Sequence, residues 1–158
     1  MTETDLVKQF RSTCESLLYS CDTWKICDRM TGGLPDLEVN WNGFTSKIEF
    51  KYLRRDEENI HDKWEDGRQL VTCVKYERTT QRCWVVAFMA PSVKYRRTVE
   101  HTIIYRPSAL LGEKQPRDPQ CRASFTTREL PELWTQGVIR LEGYNHTGLT
   151  NLIRLTHS

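Results

Sequence analysis

Gly33-Leu34-Pro35-Asp36-Leu37-Glu38-Val39-Asn40-Trp41-Asn42-Gly43-Phe44-Thr45-Ser46-Lys47-Ile48-Glu49-Phe50-Lys51 is the stretch on which the fold turns. Asn-Gly between alternating apolar residues is the strongest short-range hairpin signal, so Leu34 to Trp41 and Phe44 to Leu53 are expected to form two antiparallel strands. With Asn42 and Gly43 as the two loop residues, Trp41 opposes Phe44, Val39 opposes Ser46, Leu37 opposes Ile48 and Asp36 opposes Glu49. Side chains alternate across a strand, which puts Asp36, Glu38 and Asn40 on one face with Lys47, Glu49 and Lys51. Leu37, Val39, Trp41, Ile48, Phe50 and Tyr52 cover the other face and belong to a core. Two carboxylates facing each other destabilise a hairpin by roughly 0.2–1 kcal/mol when exposed, and by more when buried. A divalent cation between them offsets that cost, because hard cations such as magnesium take oxygen ligands and use one or two carboxylates together with substrate phosphates. Lys51 lies on the same face, two residues beyond Glu49. The competing reading is an ordinary solvated hairpin with a Glu38–Lys47 cross-strand ion pair.

Pro35-Asp36 followed by Glu49-Phe50-Lys51 resembles the signature of the PD-(D/E)xK nuclease superfamily, and Gly33-Leu34-Pro35-Asp36-Leu37 is most similar to its VRR-NUC and Holliday-junction-resolvase-like branches. The resemblance extends over roughly Leu6 to Phe88. It implies a helix with a glutamine after the lysine strand, matched by Gln69, and then an apolar strand, matched by Trp84-Val85-Val86-Ala87-Phe88. It also implies a metal held by Asp36, Glu49 and the Phe50 carbonyl, with catalysis by Asp36, Glu49, Lys51 and Gln69. An acidic residue on the first helix completes the family pattern; Glu15 is the expected candidate, and Glu3 is its rival. The same resemblance implies magnesium, replaceable by manganese, DNA that is duplex or branched, and a homodimer whose two sites cut two strands. Some relatives carry an iron–sulfur cluster on three C-terminal cysteines; here only Cys121 lies in that region, so no cluster is expected.

At 158 residues the chain suits one domain. The expected fold is α/β, a central mixed sheet flanked by helices like the restriction-endonuclease core, with a core at about residues 4–106 and a C-terminal extension, residues 107–158, of unknown role. Lys and Arg number 23 against 21 Asp and Glu, a net charge of +2. Nucleic-acid binding therefore has to come from local patches: Arg54 and Arg55 past the lysine strand, Arg68 on the following helix, and Lys94, Arg96 and Arg97 around Tyr95, a set suited to phosphates and base stacking. A solvated loop is the alternative for each. Six cysteines at 14, 21, 27, 73, 83 and 121 form no Cys-x-x-Cys pair, which argues against structural zinc and for reduced thiols. No run approaches the ~18 apolar residues of a membrane span, so a cytoplasmic, soluble protein is expected.

Along the chain, Thr4 to Tyr19 is expected as an amphipathic helix, Trp24 to Cys27 as a short strand, Asp62 to Arg78 as a helix, and Arg82 to Met89 and Thr102 to Tyr105 as strands. Arg54 to Trp64 is read as an exposed loop in which His61 is a loop histidine rather than a proton shuttle. Gly112 to Ser124 is read as a connector, Thr126 to Pro131 as a capped turn, and Val138–Leu141 with Leu152–Leu155 as a terminal hairpin. Two other function classes fit the composition: a DNA-binding module without catalysis on the same fold, and a protein-interaction domain that binds no nucleic acid. Intact Asp36, Glu49 and Lys51 speak against the first of these; the low net charge and many aromatics speak for the second.

Overall fold

The computed structural model describes residues 3–26, 35–54, 59–64, 67–90, 99–112, 120–126 and 128–158. Helix α1 (Glu3–Leu17) leads into β1 (Asp22–Lys25), β2 (Leu37–Trp41) and the long β3 (Phe44–Arg54). A 3-10 turn (Ile60–Lys63) and α2 (Gly67–Thr80) carry the chain to β4 (Cys83–Ala90) and β5 (His101–Tyr105). After a second 3-10 turn (Pro107–Leu110) come β6 (Cys121–Arg122), α3 (Leu130–Gln136), β7 (Val138–Glu142) and α4 (His146–Thr156). The strands make one seven-stranded mixed sheet in the order β1-β2-β3-β4-β5-β7-β6. This is the expected α/β architecture with helices on both faces.

The Asn42-Gly43 turn sets the register as the sequence implies. Both residues have positive φ, +54° and +80°, the conformation a two-residue hairpin loop requires. Trp41 pairs with Phe44, Val39 with Ser46 and Leu37 with Ile48. Strand β3 then pairs in parallel with β4, which the α2 crossover makes possible, and Glu49 comes level with Val85 and Lys51 with Ala87. Buried on both faces, β4 reads as an unbroken apolar run.

One sheet face packs on α1, α3 and α4. Its core includes Leu6, Phe10, Ile48, Phe50, Trp84, Phe88, Leu133, Leu149 and Ile153. Phe50 stacks on Phe88 with ring centroids 5.8 Å apart, and Phe10 meets Phe50 at 5.7 Å with its ring tilted by 59°. The other face, under α2 and the 3-10 turns, buries Leu53, Ile60, Val85, Ala87, Ile103 and Leu110. Glu49, Lys51 and Leu53 alternate onto this second face.

Three expectations need correction. Leu152–Leu155 is not a strand: Asn145 accepts from the Gly148 N–H at 2.8 Å and caps α4, and Leu149, Leu152 and Ile153 fall on one helical face. The threonines and Gly148 lower its helix propensity, yet burial on the sheet prevails. Gly148 is needed for that approach, since a Cβ there would lie 2.6 Å from Leu141 Cδ1. Residues 107–158 are no appendage, because β7 pairs with β5 along its length and α4 packs on α1. The helix expected from Asp62 begins at Gly67, after a separate 3-10 turn capped by Asn59. The capped turn at Thr126 holds: Thr126 N donates to Glu129 Oε1 at 3.1 Å and Glu129 N to Thr126 Oγ1 at 3.4 Å, ahead of α3. Among the described residues no helix is long and apolar enough to cross a membrane.

Candidate active site

Asp36 stands one residue before β2, and its backbone carbonyl accepts from Ile26 N at 2.8 Å, which ties it to the chain leaving β1. Beyond Leu37, side chains replace the backbone ladder between β2 and β3. Asp36 N donates to Glu49 Oε2 at 3.1 Å, and Phe50 N donates to Asp36 Oδ2 at 3.0 Å. The two acids thus interlock across the strand pair at one level, as the turn register requires.

Glu49 is 1% exposed, and its carboxyl is pushed up to about 8, first by burial and then by the Asp36 charge; Lys51 opposes both. The Lys51 ammonium lies 2.8 Å from Glu49 Oε1 and donates to Gln69 Oε1 at 3.2 Å. It also sits 4.6 Å from the centre of the Trp64 ring. Carboxylate, amide oxygen and aromatic face together fix the ammonium over the acid pair. Gln69, from α2, is where the sequence places it, and its carbonyl is the group that orients Lys51.

The first-helix acid is Glu3 and not Glu15. Burial and the Asp36 charge raise the Glu3 carboxyl, while Lys51, Lys63 and Lys25 lower it. Glu15 accepts from Thr23 Oγ1 at 2.5 Å, twelve residues further along α1 and hence ~18 Å from Glu3. Glu15 therefore secures α1 to β1, with Arg11 donating to the same threonine at 3.1 Å. Helix phase selects between them: at 3.6 residues per turn Glu3 lies on the stripe of Leu6, Phe10 and Cys14, whereas Glu15 lies about 120° around the helix from Glu3 and is exposed.

The residues expected to bind nucleic acid divide. Arg54 is exposed at the end of β3, and Arg68 is exposed in the first turn of α2. Arg55, Lys94, Arg96 and Arg97 lie outside the described residues. His61 is in the 3-10 turn, with Nδ1 2.9 Å from Asn59 Oδ1 and a buried Nε2 that meets no hydrogen-bond partner. Trp64 is the site residue that the sequence reading passed over. Its signal was a large aromatic in a polar stretch, five residues before Gln69.

As cation ligands, Asp36 and Glu49 supply two hard oxygens on the buried side of the site. Among the described residues no three His, Cys, Asp or Glu side chains converge on one point. The set therefore does not form a closed cage, and fits a cation that completes its shell with backbone carbonyl, water and substrate phosphate oxygens. Comparison with protein-family models, with curated proteins and with solved structures finds no match for the chain.

Proposed function

We propose that the protein is a magnesium-dependent phosphodiesterase that hydrolyses DNA, with Asp36, Glu49, Lys51 and Gln69 as its catalytic set. The observation that carries this reading is the interlock of the two acids, with Asp36 N donating to the Glu49 carboxylate and Phe50 N to the Asp36 carboxylate, and the Lys51 ammonium fixed 2.8 Å from Glu49. A hairpin built for stability alone does not set a partly buried carboxylate against a fully buried one.

Asp36, Glu49 and, by resemblance, the Phe50 carbonyl would hold the cation. When bound, it acidifies water and neutralises charge on the phosphorane and leaving oxygen. Glu49 must give up its proton for this, which burial makes costly and Lys51 assists. The Lys51 ammonium then faces the attacked phosphate and favours the transition state over the ground state, because charge grows there. Gln69 and Trp64 prevent Lys51 from swinging into solvent, so less of its freedom is lost on substrate binding. Arg68, exposed in the first turn of α2 and next to Gln69, suits a flanking phosphate, whereas Arg54 alternates onto the sheet face opposite Lys51.

The decisive experiment incubates the protein with labelled single-stranded, duplex and four-way-junction DNA, with magnesium, manganese or a chelator. Cation-dependent cutting lost in Asp36→Asn is expected. Binding without cutting in any metal would overturn the enzymatic reading, and neither binding nor cutting would overturn the nucleic-acid reading as well.

A further inference from the structure

Away from the acid pair, at the other edge of the sheet, a thiol and an imidazole meet. Cys121 Sγ of β6 lies 3.4 Å from His101 Nδ1 of β5, and His101 Nε2 lies 3.9 Å from Glu100 Oε1. Cys121 and Arg140 are register partners on β6 and β7, and His101 pairs with Glu142. Among the described residues, the charged groups near the thiol include His101 and Glu100 from β5 and its approach, Arg140 and Glu142 from β7, and Arg122, its neighbour on β6, paired with Glu129. Arg140 also donates to Met89 Sδ at 3.7 Å, which brings its guanidinium over β4 beside His101's register partner. Cys121 and His101 are both partly exposed, so a small solute has access.

We infer that Cys121 is a nucleophilic thiol activated by His101, a site for reversible oxidation by hydrogen peroxide. In the tautomer that carries its proton on Nε2, the Nδ1 lone pair faces Sγ and takes the thiol proton. The resulting thiolate lies next to an imidazolium and in the same register row as Arg140, the electropositive, accessible setting of reactive cysteines. Sulfur then gives an electron pair to the nearer peroxide oxygen; the S–O bond forms as O–O breaks, and the departing hydroxide takes the proton from His101 and leaves as water. Cysteine is oxidised by two electrons to the sulfenic acid, and peroxide is reduced to water.

The other described cysteines lack this pairing. Cys14, Cys73 and Cys83 are fully buried. Cys21 is partly exposed, and its side-chain hydrogen bond is with Cys14, a thiol and not a base. Cys121 also stands in the strand row that contains Lys51, through Arg140, Ile103 and Ala87. Four strand spacings separate them, ~19 Å, so the two chemistries share no atoms.

The test treats the whole chain with hydrogen peroxide, traps sulfenic acid with a cyclic diketone and maps the adduct by mass spectrometry. Adduct is expected first at Cys121. His101→Gln should slow its formation about ten- to thirtyfold at pH 7, where an ordinary thiol is only ~3% ionised. The gap should close near pH 10, where hydroxide ionises the thiol without help. A gap under twofold at pH 7, or one as large at pH 10 as at pH 7, overturns the inference. Should His101→Gln fail to fold, the parent protein decides: a rise in Cys121 reactivity well short of thirtyfold between pH 7 and 10 supports it, and the full rise of an unassisted thiol overturns it.

Discussion

Glu49 is the residue whose environment costs most and whose titration is easiest to observe. Its carboxyl titrates near 8 in the fold against an ordinary 4.5. Between those values the folded chain holds a proton that the unfolded chain has lost, so its contribution to stability falls as pH rises from ~4.5 to ~8 and is level above. The effect is on the order of a few kcal/mol. Urea titrations in chelator across that range should show the decline, and Glu49→Gln should flatten it. A cation competes with the same proton, so its affinity should rise with pH up to about 8 and each ion bound should release close to one proton. Calorimetry in buffers of different ionisation enthalpy measures that proton directly. Affinity that does not change between pH 6 and 8.5 would remove Glu49 from the cation site.

At the scale of elements, the β2–β3 hairpin is where sequence and structure agree most closely, because one turn dictates everything that follows. Asn42 and Gly43 demand a two-residue loop, and a two-residue loop leaves one register. That register was legible, and with it the level of Asp36 and Glu49. Gln69 was legible because the resemblance implies a glutamine on the helix after the lysine strand, and α2 sets its Oε1 3.2 Å from the Lys51 ammonium. Glu3 was legible too, since it shares the apolar stripe of α1 and Glu15 does not; what could not be read was the seat of Trp64 on Lys51, which depends on a 3-10 turn without periodicity. The hairpin makes a clean comparison. Magnesium or manganese at a hundredfold excess over its dissociation constant should stabilise the parent by about 2.7 kcal/mol. Glu38→Gln, two residues along β2 from Asp36 toward the turn and register partner of Lys47, should keep that gain, whereas Glu49→Gln should lose most of it by thermal melting. Lys51→Ala should retain the gain while turnover falls by a factor on the order of 10² to 10³. Unchanged turnover would show that the ammonium plays no part in the reaction.

For the whole molecule, the C-terminal segment closes the structure that the hairpin begins. His157 is fully buried: its Nε2 meets Ser46 Oγ on β3, its Nδ1 lies 2.9 Å from the Trp41 carbonyl, and its own carbonyl accepts from Asn42 Nδ2 at 2.6 Å. Arg82, at the start of β4, donates to the Thr156 carbonyl at 2.8 Å and lies over the Phe44 ring. Nothing in local periodicity announces such a latch, since its partners are more than a hundred residues apart. Burial holds His157 below its usual value, and Arg82 acts in the same sense. The unfolded chain therefore takes up that proton first, and the contribution of His157 to stability is lost as pH falls below ~6.5, a slope opposite to that of Glu49. His157→Gln should remove the acid-side loss. Truncation tests how much of the fold rests on α4 and its latch. Ending the chain after Tyr144 deletes buried Leu149, Leu152 and Ile153 together with the latch, at about 1.5–3 kcal/mol for each apolar side chain. That sum is comparable with the whole stability of a domain this size, so the truncated chain should show no cooperative urea transition by circular dichroism. A cooperative transition close to the parent's would mean that the sheet folds without α4, and that α4 and its latch add little to its stability.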